Sequence, residues 1–209
     1  MAGFDKHTGK VAVYNVDDVD TDRIIPARFL TRVSRFGYGE LLFKDVRGGE
    51  FPLDQPSAAG ATILVVGKNF GCGSSREHAV WAIQQAGFRV VIAKTEGETP
   101  GYSDIFRQNA ANCGLLLVEL APGPHSKVVA LGSGAEVTVD LPNQTVEAAG
   151  EIASFAIDPV LKDQIAAGLD LIGSTMKAED RIAEFESHWD SFAPTDTAPA
   201  RETSDSNTR

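Results

Sequence analysis

The sequence predicts an α/β fold: a mixed sheet with a parallel βαβ core, followed by a C-terminal antiparallel hairpin and helices. Three observations carry that expectation. The run Ala61-Thr62-Ile63-Leu64-Val65-Val66 is continuously apolar and rich in β-branched residues, as befits a strand buried on both faces. It leads through Asn69-Phe70-Gly71-Cys72-Gly73-Ser74-Ser75-Arg76-Glu77-His78 into the helix-patterned Ala79-Val80-Trp81-Ala82-Ile83, and Arg89-Val90-Val91-Ile92-Ala93 supplies a second buried strand. Strand, helix and strand with short connections make a parallel pair joined by a right-handed crossover. Further on, Glu136–Leu141 and Gln144–Glu147 alternate polar and apolar residues around Pro142-Asn143, the pattern of an antiparallel hairpin.

In chain order, Lys10–Tyr14 is a first strand, and Asp17-Asp18-Val19-Asp20-Thr21-Asp22 an acidic turn. A calcium loop of the EF-hand type needs glycine at its sixth position and glutamate at its twelfth. Counted from Asp17, those positions hold Asp22 and Arg28, so calcium is set aside. Ile24 and Ile25 are expected in the core, and Pro26 in the first turn of a short helix. Phe36-Gly37-Tyr38-Gly39 is a glycine-rich aromatic loop, and residues 44–60 connect it to the central strand. The central helix is expected from about Ser75 to Gln85, with Ser74 and Glu77 at the spacing of a capping box and Gly87 as its stop. After a loop over 94–101, a helix over 102–110 is stopped by Gly114, and Leu115–Leu120 makes a third buried strand. Ala121–Pro124 closes that block, and Val128-Val129-Ala130 is a short apolar run. Beyond the hairpin, Ser154–Ile157 reads as a strand and Asp158-Pro159 as a helix start, the helix ending at Gly168. Lys177–Trp189 is amphipathic, with Ile182, Phe185 and Trp189 at spacings of three and four. Residues 1–189 are read as one domain; 190–209, rich in Ser, Thr, Asp, Pro and Ala, as a disordered tail.

Composition narrows the function classes. The chain has 209 residues, 43% of them hydrophobic, and a formal net charge of −10. That balance disfavours a general nucleic-acid or membrane-surface binder, which needs basic patches. No apolar run reaches the roughly 18 residues of a membrane helix, and the N-terminus lacks an apolar signal core, so a cytoplasmic protein is expected. Cys72 and Cys113 stand far apart and form no CxxC pair; two thiols cannot complete a four-thiolate zinc or iron–sulfur site. Cys113 is expected to be buried.

The chemistry concentrates in residues 69–78. Two glycines bracket Cys72 and let the backbone turn tightly. A helix N-terminus, two serine hydroxyls and the Arg76 guanidinium then converge, which suits a carboxylate or a phosphate. The dinucleotide fingerprint fails because Arg76 stands at the third glycine; the phosphate loop and the nucleophile elbow fail as well. His78, one turn into the helix, is read as structural rather than as a general base. Arg23, Arg28, Arg32 and Arg35 form a basic cluster around Phe29 and Phe36; for any one of them a solvated helix face is the first expectation, and the sharper reading is that one or two point at the same anion as Arg76.

Gly71-Cys72-Gly73-Ser74-Ser75-Arg76-Glu77-His78-Ala79 resembles the signature of the swivelling β/β/α domain of the aconitase family. Asp20–Pro26, Tyr102–Phe106 and Gly114–Leu116 resemble the family's other landmarks in the same order, and the likeness covers about residues 4–185. Phe36–Gly39, Gln144–Val146, Ile157–Pro159 and Gly168–Asp170 are most similar to the family's separate small subunits acting on isopropylmalate. The resemblance implies a hydro-lyase that removes water from a hydroxy-diacid and adds it back at the neighbouring carbon. It implies Ser74 as catalytic base, Ser75 and Arg76 as carboxylate binders, and Asp22 near the site; Arg28 is the candidate from the basic cluster. It implies a [4Fe-4S] cluster on a partner large subunit and none on this chain. The function expected is therefore half of an enzyme for leucine synthesis, with relatives of the homoaconitase or citraconate/maleate hydratase type as the alternative. Two departures stand out: loop 94–101 is longer than the family's connection, and the tail after Trp189 is extra. The loop Phe36–Gly39 is the expected selector of substrate.

Overall fold

A computed structural model describes residues 3–31, 34–74 and 76–188 of the chain. The tail beyond 188, with Trp189, and the candidates Ser75 and Arg32 lie outside them. Seven strands form a single sheet: β1 (Lys6–Tyr14), β2 (Ile63–Val66), β3 (Val90–Lys94), β4 (Leu116–Leu120), β5 (Glu136–Asp140), β6 (Thr145–Ala148) and β7 (Glu151–Ser154), in the order β4-β3-β2-β1-β5-β6-β7. β1 to β4 run parallel, and β5, β6 and β7 are antiparallel. β1 belongs to both halves. Its first half, Lys6–Lys10, pairs antiparallel with β5, and its second half, Val11–Tyr14, pairs parallel with β2.

The parallel half is covered on both faces, which explains its unbroken apolar sequences. Side chains alternate, so Leu64 and Val66 of β2 point into one core while Ile63 and Val65 point into the other, and all four are fully buried. The first core is roofed by α2 (Glu77–Gln85), by Phe106 and Ala110 of α3 (Asp104–Cys113), and by the segment around Leu42, Phe43 and Phe51. The second is closed by α4 (Pro122–Leu131) and α5 (Pro159–Ala167), through Val128 and Ile165. Burying one such aliphatic side chain contributes about 2 kcal/mol.

Caps end the helices where the sequence places them. Ser103 accepts from the Phe106 amide and Gly114 closes α3 in the left-handed conformation. Asp158 accepts from the amides of Val160 and Leu161, Pro159 takes the first position, and Gly168 closes α5.

Several expectations are corrected. The Ser74–Glu77 capping box does not form: α2 begins at Glu77, with an extended Arg76 as its cap residue and no side-chain cap. The helix thus starts two residues later than expected, and Glu77, its first residue, lies outside the position from which a box glutamate reaches back. Pro26 precedes the short 3-10 turn Ala27–Phe29 and stands outside it. The run at 128–130 is the end of α4, signalled by Pro122 at the first helical position. The last strand is Glu151–Ser154, earlier than the expected 154–157; Phe155 follows it into the core. The amphipathic stretch after 177 is helical, as α7 (Glu179–Glu186), preceded by α6 (Leu171–Met176).

Candidate active site

The parallel strands end at Tyr14, Val66, Lys94 and Leu120, and the segments that leave those ends meet along one edge of the sheet. In parallel sheets ligands collect there. The glycine turn leaves β2 and lies between two neighbouring segments. On one side is the acidic turn after β1. Gly67 N–H donates to the Val16 carbonyl at 3.2 Å, Asp18 N–H to Lys68 O at 3.0 Å, Gly71 N–H to Val19 O at 2.8 Å, and Thr21 N–H to Cys72 O at 3.0 Å. On the other side, Asn69 N–H donates to Pro100 O at 3.0 Å and Phe70 N–H to Gly101 O at 2.8 Å. The turn is therefore stitched like an extra strand between residues 16–21 and 100–102.

The side chains around it reinforce this lattice. Thr21, buried, donates its hydroxyl to the Ser74 carbonyl at 2.9 Å. Ser103 donates to the Gly71 carbonyl at 2.7 Å while capping α3. Asp17 accepts from the Lys68 amide at 3.0 Å, and Asn69 donates to the Asp18 carboxylate at 2.8 Å. Asp20 accepts from Arg23 N–H at 2.7 Å and caps the four-residue helix α1 (Thr21–Ile24). So the acidic run, which failed as a calcium loop, serves the scaffold instead: its carboxylates receive backbone and amide donors of the turn and of α1. The sequence reading missed Thr21, Asp17 and Ser103 in these roles. For Ser103, a serine at the start of the helix expected over 102–110 was the available signal.

Glycine is required at Gly71, where φ is +75° and a Cβ would stand 2.3 Å from Cγ of the Phe106 ring. Gly73, with φ +89°, has room for a Cβ at 3.6 Å from Asp20 Cβ, so there the backbone conformation alone favours glycine.

Of the expected site residues, Ser74 is exposed on this edge. Arg76 donates through Nη1 to Asp22 Oδ1, with the Arg76 side chain 15% exposed and that of Asp22 54%. The structure thus joins Asp22 to Arg76. The hydrogen bond from Arg76 holds the Asp22 carboxyl below the usual carboxylate range. Arg28 is committed elsewhere. It forms a two-pronged ion pair with Asp45 and lies 4.5 Å from the centre of the Phe29 ring. Arg35 stacks 5.1 Å from the Trp81 ring, and Arg23 lies 6.0 Å from that of Tyr14. His78 packs against Trp81 and Tyr38 with centroids at 4.7 and 5.5 Å, an aromatic role in keeping with its reading as structural.

The two thiols are poor metal ligands as they stand. Burial, aided by the charges of Asp20 and Asp18, pushes the Cys72 thiol up. Cys113, half-buried, is pushed up to about 12 by burial and by Glu77, to which its Sγ donates at 3.2 Å. Among the described residues no three or more of His, Cys, Asp and Glu gather as a metal site. The two cysteines of the sequence fall short of the thiolates that hold an iron–sulfur cluster.

The comparisons with known proteins fall on this geometry. A family model described as the aconitase C-terminal domain matches residues 1–123, the whole of the parallel half and its glycine turn. The chain is also 42% identical over 202 residues to the 3-isopropylmalate dehydratase small subunit of Bacillus subtilis, covering 92% of this chain and 98% of that one. The chain belongs to the aconitase family, in its branch of 3-isopropylmalate dehydratase small subunits. A second model, described as LeuD_N, matches residues 127–159, which hold the second half of α4 and strands β5, β6 and β7. The small subunit of Frankia casuarinae is likewise 42% identical, covering 93% of this chain and 99% of its own. Among solved structures, 3-isopropylmalate dehydratase from Methanocaldococcus jannaschii superposes with a TM-score of 0.65 at 27% identity, over 86% of this chain and 99% of that one. The swivelling aconitase-type domain expected from the sequence is therefore the fold of this branch. No helix among the described residues is long and apolar enough to cross a membrane.

Proposed function

We propose that this chain is the small subunit of a hydro-lyase that interconverts 2-isopropylmalate and 3-isopropylmalate in leucine synthesis, working in the cytoplasm with a large subunit that carries a [4Fe-4S] cluster. A likeness that spans nearly the whole chain, to relatives named small subunits of 3-isopropylmalate dehydratase, carries this reading. The site supports it chemically. A guanidinium offers five donors in a fixed fork, and Asp22 receives one through Nη1, so Arg76 is oriented yet able to hold a substrate carboxylate. Ser74 stands two residues before it, its own carbonyl anchored by Thr21. It takes the proton from the carbon next to that carboxylate, and Ser75 shares the carboxylate with Arg76.

A serine hydroxyl is a weak base in water. Exposed as it is here, Ser74 needs a covering surface that excludes solvent and concentrates positive charge. In this reading the large subunit supplies that cover, together with the group that receives the departing hydroxyl. Arg28, paired with Asp45, is left out of the carboxylate clamp. Mixing the chain with its large subunit tests the proposal: 2-isopropylmalate isomerises in the mixture and not with either chain alone. Turnover by this chain by itself, or a mixture that acts on another hydroxy-diacid and ignores isopropylmalate, refutes it.

A further inference from the structure

Strand β4, at the edge of the sheet, is apolar at every position but one. Leu116, Leu117, Val118 and Leu120 are buried, and Glu119 stands among them with its side chain 19% exposed. A carboxylate so placed loses hydration, and hydrogen-bond donors must replace it. Glu119 Oε1 accepts the Gly101 amide at 2.6 Å, and Oε2 accepts from Arg107 Nη1 at 2.7 Å, with Nη2 3.4 Å from Oε1. Arg107, on α3, also reaches the Tyr102 carbonyl through Nη2 at 3.4 Å. One carboxylate thus ties the edge of the sheet, α3 and the segment 100–102 together.

That segment is shaped to meet it. A Cβ at residue 101 would stand 2.9 Å from Ala93 Cβ and 3.0 Å from both Cγ and Oε1 of Glu119, so glycine here supplies room for the approach. The next residue, Tyr102, is fully buried, and its hydroxyl donates toward the carbonyls of Val91 and Val118 at 2.8 and 3.1 Å. Its ring stacks on Phe106 with centroids 6.1 Å apart, and Phe106 meets Phe70 edge-on at 5.6 Å. The other side of the segment faces the site. The Gly101 carbonyl accepts the Phe70 amide, and the Pro100 carbonyl that of Asn69. Gly101 therefore links Glu119, at its amide, to the glycine turn, at its carbonyl. Phe70 lies four residues before Ser74 and six before Arg76.

We propose that Glu119, oriented by Arg107, is a positioning residue for the reacting groups: it holds Gly101, Gly101 holds Phe70, and the turn that follows carries Ser74. This rests on the function proposed above, in that it takes Ser74 as the base. Glu119 acts through the backbone it holds, and a shift of about 1 Å passed along that line is enough to cost about a hundredfold in rate.

The test uses the full chain, alone and mixed with the large subunit from the native host. In the isolated chain, Glu119→Ala is expected to speed amide hydrogen exchange at Gly101 and Phe70 by at least about tenfold, while the amides of β1 and β2 keep their protection. At saturating large subunit the same variant is expected to lower kcat about tenfold or more. Glu119→Gln keeps an oxygen for the Gly101 amide and should bring exchange and kcat back to within about threefold of wild type. Arg107→Gln loosens the carboxylate without removing it, and should move both readouts in the direction of Glu119→Ala by about threefold. In a Ser74→Ala background, Glu119→Ala should lower kcat no further, because it acts through Ser74; a mere loss of folded protein would lower both backgrounds by the same factor. Wild-type exchange at Phe70 in the folded variants, or equal factors in the two backgrounds, overturns the inference and leaves the proposed function standing. Protection at Phe70 that is lost in Glu119→Ala and regained in Glu119→Gln, in a chain whose mixture never isomerises isopropylmalate, supports the hold on the turn while refuting the activity.

Discussion

The glycine turn and the C-terminal arm, Leu171–Glu186, both stand at the surface, but they are built in opposite ways. The turn displays polar groups on a backbone held from both sides; its amides and carbonyls are taken up by residues 16–21 and 100–103. The arm displays apolar groups on helices tied to the body at their root. The difference separates two requirements of a divided enzyme. Reacting groups need geometry fixed before the partner arrives, because a displacement of about 1 Å costs orders of magnitude in rate. An apolar surface stripe is held to no such tolerance, since area alone decides what it contributes.

The sharpest way to break this comparison is at Ser74. Ser74→Ala is expected to lower kcat by about a thousandfold or more while assembly is unchanged, as removal of a positioned base does; turnover within tenfold of wild type would take Ser74 out of that role. Gly71→Ala comes next. A Cβ in the Phe106 ring on a backbone at positive φ should cost about 3 kcal/mol and lower the melting temperature of the isolated chain by about 10 °C. Ile172→Asp, at a side chain 73% exposed, should leave that temperature within about 2 °C. Equal effects from the two substitutions would erase the distinction between scaffold and arm. Arg76→Lys should raise KM about tenfold with a smaller change in kcat, since an ammonium cannot fork onto a carboxylate; an unchanged KM would move the carboxylate elsewhere.

The smallest effect expected is that of Asp22→Asn on pH dependence. The Asp22 carboxyl titrates below its usual range because Arg76 donates to it. A depressed folded value gives stability that is fully present above the unfolded value and lost as pH falls through the folded one. Melting curves of wild type and Asp22→Asn should therefore differ slightly at neutral pH and merge once the medium is more acidic than the folded value. Curves that stay parallel throughout would show that the pair adds nothing.

The turn was largely legible in the sequence because its constraints are local. Glycines at positive φ, a strand before and a helix after are written in adjacent residues. What connects it to its neighbours was not. The bonds from Thr21 to Ser74 and from Ser103 to Gly71 span 53 and 32 residues, and no periodicity announces them. Arg28 shows the same limit from the other side: a basic cluster was visible, but Asp45, which holds Arg28, stood in a stretch with no pattern of its own. Helix α4 was hidden by two prolines and a glycine in its first turn, residues that usually announce a loop. The arm was legible as amphipathic, yet amphipathicity states that a face will be covered without saying by which chain.

β1 carries a consequence for how the chain is made. Its upper half bonds to Ile63–Val66 and its lower half to Glu136–Asp140, so partners for one nine-residue strand emerge about 50 and about 130 residues later. Of the seven described strands, the first to be synthesised is among the last to be completed. Until β5 emerges, the edge at Lys6–Lys10 stays open, and closure of the sheet waits on the most distant pairing in the molecule.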